Sequence, residues 1–153
     1  MSFDFCIMFD SDKIIKLEVV TPERVVLKRN IYRITVPTKE GEITVLPKHL
    51  PLVSILIPGV LEFVNENNER EVVSVSGGFV EVLRNKVVIL ADTAERAEEL
   101  DSEQVEEARK KAEQMVRETK REDAERFAEI STSLAKELAR SKAVKRWKKI
   151  TRK

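Results

Sequence analysis

All four glycines and all five prolines of this 153-residue chain lie before Phe79, and none follows. Glycine supplies the backbone conformations that tight turns need, and proline interrupts helices and central strands. The chain is therefore written in two styles, a turn-rich half and a half with nothing to break a helix. Across the first, short runs rich in Val, Ile and Leu occupy 13–20, 25–29, 31–36, 42–46, 52–56, 60–64, 70–75, 79–83 and 86–90. Turn residues separate them, among them Thr21-Pro22, Asn30, Glu40-Gly41, Pro58-Gly59 and Arg84-Asn85. That spacing predicts an antiparallel β-sandwich or barrel. Runs apolar at successive positions, such as Val87-Val88-Ile89-Leu90, suit strands buried between layers.

From Asp101 the rhythm turns helical: Val105, Ala108, Ala112 and Met115 recur at three- and four-residue spacing with charges between. Asp101 and Gln104 read as an N-cap and its capping-box partner. A second stripe carries Ala124, Phe127, Ser131, Leu134, Ala135 and Leu138, and the polar stretch 118–123 reads as the turn between two helices. Alanines on both stripes allow close approach as an antiparallel hairpin, and the pattern equally suits an intermolecular coiled coil. The expected division is an N-terminal extension over 1–12, with Met8 a second candidate start, a β-sandwich over 13–93, and a helical hairpin with a basic tail over 94–153.

Composition narrows the function classes. Lys and Arg number 28 against 27 Asp and Glu, so no global field draws the chain to nucleic acid or anionic lipid. Cys6 and His49 are single, which rules out an intrachain disulfide and argues against a structural zinc site. No apolar run reaches the eighteen or so residues that span a bilayer as a helix, so membrane contact is expected only through a partner.

Three local patterns carry possible chemistry. Ser76-Gly77-Gly78 has the glycines of a phosphate cradle but no following Lys-Ser or Lys-Thr, and a glycine pair among strands more often marks a bulge or close crossing. His49 with Glu40 and Glu42 offers an acid-base group without nucleophile or metal, which favours a structural or interface role. Residues 140–153 hold eight basic side chains and no acid, with Val144, Trp147 and Ile150 on one face. A basic amphipathic helix end suits an acidic protein groove, a membrane surface or nucleic acid, and part of its charge simply complements the helix dipole.

Three blocks in order along the chain resemble the epsilon subunits of bacterial and chloroplast F-type ATP synthases. They are Leu17-Glu18-Val19-Val20-Thr21-Pro22-Glu23; Glu40-Gly41-Glu42 with Leu46-Pro47-Lys48-His49-Leu50-Pro51-Leu52 and Pro58-Gly59-Val60-Leu61; and Ser76-Gly77-Gly78-Phe79-Val80-Glu81-Val82 with Asn85-Lys86-Val87 and Leu90-Ala91-Asp92-Thr93-Ala94-Glu95. The resemblance implies a flattened sandwich followed by a helical hairpin, in a non-catalytic rotor subunit held on the cytoplasmic side of the cell membrane as part of the synthase. Its implied partners are the gamma subunit, the c-ring, and the catalytic beta subunits through the C-terminal helices. By the same resemblance Glu42 and His49 lie in loops at the ring-facing end, and Lys145, Arg146, Lys148 and Lys149 belong to a tail that inhibits ATP hydrolysis. No cofactor is required, although some members bind regulatory ATP through a motif opening the first helix. Here Leu100-Asp101-Ser102-Glu103 matches that motif and Gln104-Val105 departs from it, leaving Asp101, Lys136 and Arg140 as the candidate nucleotide contacts. The competing readings are a nucleic-acid-binding module built on the basic tail and a small hydrolase around His49.

Overall fold

The computed structural model describes residues 13–152. The 1–12 extension with Cys6, and Lys153 at the end of the basic run, lie outside the described residues. Strands β1 (Ile15–Val20), β2 (Val25–Thr38), β3 (Gly41–Val45), β4 (Leu52–Leu56), β5 (Gly59–Asn65), β6 (Arg70–Val75), β7 (Gly78–Val82), β8 (Lys86–Ala91) and β9 (Ala94–Arg96) come first. A 3-10 turn, Ala97–Glu99, leads to helices α1 (Ser102–Glu118) and α2 (Ala124–Thr151). The expected sandwich and hairpin are both present.

The strands run in the order β1-β8-β7-β4-β2-β5-β6-β9, β3 adds to β2, and a β1–β2 pairing closes the sheet on itself. All pairings are antiparallel except β1 with β8, where Leu17 lies opposite Val87 and Val19 opposite Ile89 in a parallel ladder. Asn30 does not break the chain as its composition suggested. It pairs with Lys16 inside β2, which crosses from β1 in one layer to β3 and β5 in the other, with a register shift between Ile31 and Arg33. A shift of this kind bends a strand and increases its twist, which carries β2 around the corner. Between the layers lies the core: Leu17, Val19, Ile31, Ile34, Leu61, Phe63, Val73, Val80, Val82, Val87 and Ile89, all essentially excluded from water. Alternate positions on each strand supply it.

The Ser76-Gly77-Gly78 motif serves this packing. A Cβ on Gly78 would lie 1.9 Å from the carbonyl oxygen of Leu90, and its φ of +129° is one that other residues rarely adopt. The glycine lets β7 cross β8 at contact distance.

Helix α1 has the expected N-cap, with the Asp101 carboxylate accepting from the backbone N–H groups of Glu103 and Gln104, but the Gln104 side chain does not complete a capping box. The burial stripes differ from the sequence reading. Met115 and Leu138 are about half exposed, at 50% and 44%, and the fully buried part of α2 is Ala139, Ser141, Ala143 and Val144 near its C-terminal end. Ala143 packs in a second cluster with Val60, Val72 and Ala97, flanked by Trp147 and Ile150. The helix therefore lies across the outer side of β5 and β6, which puts those two strands between layers. Strand β8 is not such a strand: Val88 is half-buried and Leu90 is 52% exposed.

The sheet also runs past residue 93. In β9, Ala94, Glu95 and Arg96 pair with Val75, Ser74 and Val73, and Ala94 belongs to the main core. A chain ending at Leu100 is expected to melt cooperatively with β-type circular dichroism, whereas one ending at Thr93 loses this ladder and melts roughly 10 °C lower. Equal melting temperatures would mean that β9 adds nothing to the sandwich.

Candidate functional site

Among the described residues, no helix lies over the outer side of the β1-β8-β7-β4 layer. Ile55 lies opposite Phe79, Phe79 opposite Leu90, and Leu90 opposite Val20, so one apolar row crosses four strands. Phe79 is 54% exposed and Ile55 49%, with Val53 at 71% on the next row. At a strand spacing of about 4.8 Å the row is roughly 14 Å long, too continuous for scattered surface apolar residues. Sequence reasoning missed this face. Its signal was the unbroken apolar run 87–90, which read as burial within the chain rather than as a surface left bare.

Charges flank the row without crossing it. Glu18 on β1 meets Lys28 at 3.8 Å and Lys86 at 3.4 Å, and Glu81 stands opposite Val53 and Val88. The loop 46–51 continues the apolar surface at one end, where Leu50 is 80% exposed and Leu46 is exposed as well. His49 sits in that loop, its Nδ1–H donating to the Leu50 carbonyl oxygen at 2.7 Å. This bond turns the ring toward its own backbone.

The other predicted residues are dispersed. Glu42 is not in a loop but on β3, opposite Pro37, and its carboxylate lies 3.9 Å from Lys142 of α2. Roughly 10 Å of strand separates it from the loop holding His49. Glu40 instead accepts from the Ser54 hydroxyl at 3.0 Å, so the three do not form an acid-base group.

Asp101, Lys136 and Arg140 do not converge either. Asp101 is spent on capping α1, and the cation brought to that helix end is Lys148, whose Nζ donates to Ser102 Oγ at 2.7 Å. Arg140 lies about 12 Å and Lys136 about 18 Å back along α2 from that level. Arg140 faces Glu95, with Nε 2.8 Å from Oε2 but its N–H off the line of the contact, and also donates to Glu137 at 3.1 Å.

Nor is the basic tail a loose helix end. Arg146 donates to Glu62 Oε2 at 3.1 Å, and Glu62 also holds Arg70 through its other oxygen. Of the four tail residues, Arg146 and Lys148 are thus engaged, while Lys145 and Lys149 point to solvent. Lys145 lies close enough to α1 to act on Glu106, whose carboxyl is held below the usual carboxylate range chiefly by the hydrogen bond from Arg109, with lesser help from the Lys145 and Lys110 charges. The surface therefore offers one broad apolar face, one helix docked by charge, and no converging catalytic group among the described residues.

Comparison with known proteins bears on this surface. Residues 14–97 match the family model described as ATP synthase, Delta/Epsilon chain, beta-sandwich domain. The chain is 44% identical over 131 residues to the ATP synthase epsilon chain of Herpetosiphon aurantiacus, covering 86% of this chain and 94% of that one. It is 52% identical over 98 residues to the same-named chain of Chloroflexus aggregans, covering 64% and 70%. Among solved structures it resembles a chain of the Euglena gracilis mitochondrial ATP synthase, captured with its c-ring in one rotational state. That match has a TM-score of 0.72 at 27% identity, over 83% of this chain and 79% of the other.

Proposed function

The chain belongs to the ATP synthase delta/epsilon chain family, and on that footing we propose that it is the epsilon chain of such an enzyme, a non-catalytic part of the central stalk. Its partners are the gamma subunit and the c-ring, and it reaches the membrane through the complex, on the cytoplasmic side. No described helix is long and apolar enough to cross a membrane, in keeping with a subunit attached through others. The alternative of a nucleic-acid-binding module loses support, since Arg140 and Arg146 of the tail that would bind face the chain's own carboxylates.

The observation that carries the reading is the bare apolar row Ile55, Phe79, Leu90 and Val20. A rotor subunit passes torque only through a contact that does not slip, and a broad apolar face with charged margins supplies area and register together. Gamma is assigned to this face. The ring lies toward the loops and edge around Glu42 and His49, where docking is polar. Phe79→Asp with Leu90→Asp should abolish capture of gamma in a pull-down. Both side chains are half exposed, so the melting temperature should hardly change. Undiminished capture would sink the assignment.

In the same reading the C-terminal end of α2 is a brake that reaches acidic surface on the catalytic beta subunits once it leaves the sandwich. Replacing Lys145, Arg146, Lys148 and Lys149 together with Ala should raise the ATPase rate of the assembled enzyme at low salt. The gain should shrink as the Debye length falls below about 8 Å. A rate equal to the wild type at every ionic strength would leave the tail without an inhibitory role.

Regulatory ATP is expected to bind weakly. Gln104 brings no charge to the opening of α1, Arg140 already faces two carboxylates, and Asp101 caps a helix. Calorimetry on the purified chain should find affinity at least tenfold below that of family members with arginine at the position of Gln104, the cost of one charged hydrogen bond. Tight binding lost on Lys136→Ala would reverse this expectation.

A further inference from the structure

We infer that the sandwich is itself the acidic partner of the basic tail, and that Glu62 is the latch that keeps the last three turns of α2 in place. The apolar contact beneath those turns is small: Ala143 is the fully buried helix residue of its cluster, against Val60, Val72 and Ala97, with Trp147 and Ile150 at the margin. Trp147 and Ile150 are only partly buried there, so the apolar contact is modest and a charge pair at its edge is large enough to shift how firmly this segment docks.

The charges are arranged for that purpose. Glu62 stands on β5 on the same outer face as Val60, and its carboxylate has 16% of its side chain in contact with solvent. One oxygen takes Arg70 of β6 and the other takes Arg146 of α2 at 3.1 Å. Arg70 thus fixes the carboxylate before the helix arrives, so little side-chain freedom remains to be lost when Arg146 binds. Glu95 on β9 faces Arg140, with Nε 2.8 Å from Oε2, as a second and poorly aligned ion pair between sheet and helix. Lys142 and Glu42, 3.9 Å apart and mostly exposed, add little. The cation that anchors the docked helix is one of the four assigned to the brake. An external acidic surface must therefore compete with Glu62 for Arg146, and the strength of this internal pair sets how readily the tail is released.

The inference rests on the reading above only for its consequence; the latch itself belongs to the isolated chain. Trp147 is the single tryptophan and lines the space beside Arg70, Glu71 and Arg96, which makes it a built-in reporter of docking. Acrylamide quenching of its fluorescence in the purified full chain tests the latch. Glu62→Gln and Arg146→Gln should each raise the undocked fraction about fivefold at low salt. The double variant should add little to either, because each single change already removes the pair. Wild-type quenching should rise with sodium chloride and approach that of the variants, and Glu81→Gln on the uncovered face should leave it unchanged. Should Glu62→Gln lower the sandwich melting temperature, Arg146→Gln decides alone, since it breaks the pair from the helix side.

Quenching at the wild-type level in Arg146→Gln, or equal additive increases in the double variant, overturns the latch. Because the catalytic subunits are absent, these outcomes are independent of the brake. An unlatched chain whose assembled enzyme shows no tail effect would refute the brake alone, and a latch failure beside a salt-sensitive ATPase gain would refute the latch alone.

Discussion

One strand holds the design together. β2 pairs with β1 in the first layer and with β3 and β5 in the second, so a single fourteen-residue segment ties both halves of the core to one frame. Because side chains alternate along it, every register in both layers follows once Leu27, Ile31, Ile34 and Val36 point inward. A slip of one residue would expose that set to water, at about 1.5 kcal/mol or more for each. The rigid body that results has two outer faces, and everything functional follows from how each is finished.

The two faces solve the same physical problem differently. Over β5 and β6, the chain's own helix covers Val60 and Val72, and Glu62 supplies the charge that the shallow contact lacks. Over β7, β8 and β4, none of the described residues covers Phe79, Leu90 and Ile55. An apolar face left bare on an otherwise charge-rich surface is costly unless another molecule takes it. In the proposed function the covered face is the reversible, internal one, and the bare face is the lasting, intermolecular one. A rotor component needs both: one contact that never lets go and one that can.

Much of the architecture was legible in sequence because it depends on local chemistry. The Gly-Pro boundary at Phe79, the two periodicities, the Asp101 cap and the turn over 118–123 each act within a few residues. The blocks around Glu40-Gly41-Glu42, Pro47-Lys48-His49 and Ser76-Gly77-Gly78 carried the family resemblance, which the matches to known epsilon chains bear out. Less legible was anything that depends on which elements meet. Asn30 looks like a turn residue, yet the pairing with Lys16 holds it in a strand. Val87-Val88-Ile89-Leu90 looks buried on both sides, although only Val87 and Ile89 are. Residues 94–96 looked like the approach to the helices, and β6 drew them into the sheet.

The candidate sites divide along the same line. That residues 140–153 form a basic amphipathic segment is a property of their order alone. That Arg146 meets Glu62 across 84 positions, that Arg140 meets Glu95, and that Lys136 and Arg140 stand well away from Asp101 are decided by where α2 lies on the sandwich. By itself the sequence determined the kinds of element, their order and the family, since these rest on backbone preference and on spacing within a strand or helix turn. Only the tertiary structure decided which charges are spent within the chain and which apolar face is left for a partner, because long-range contacts are set by packing geometry that no local pattern encodes.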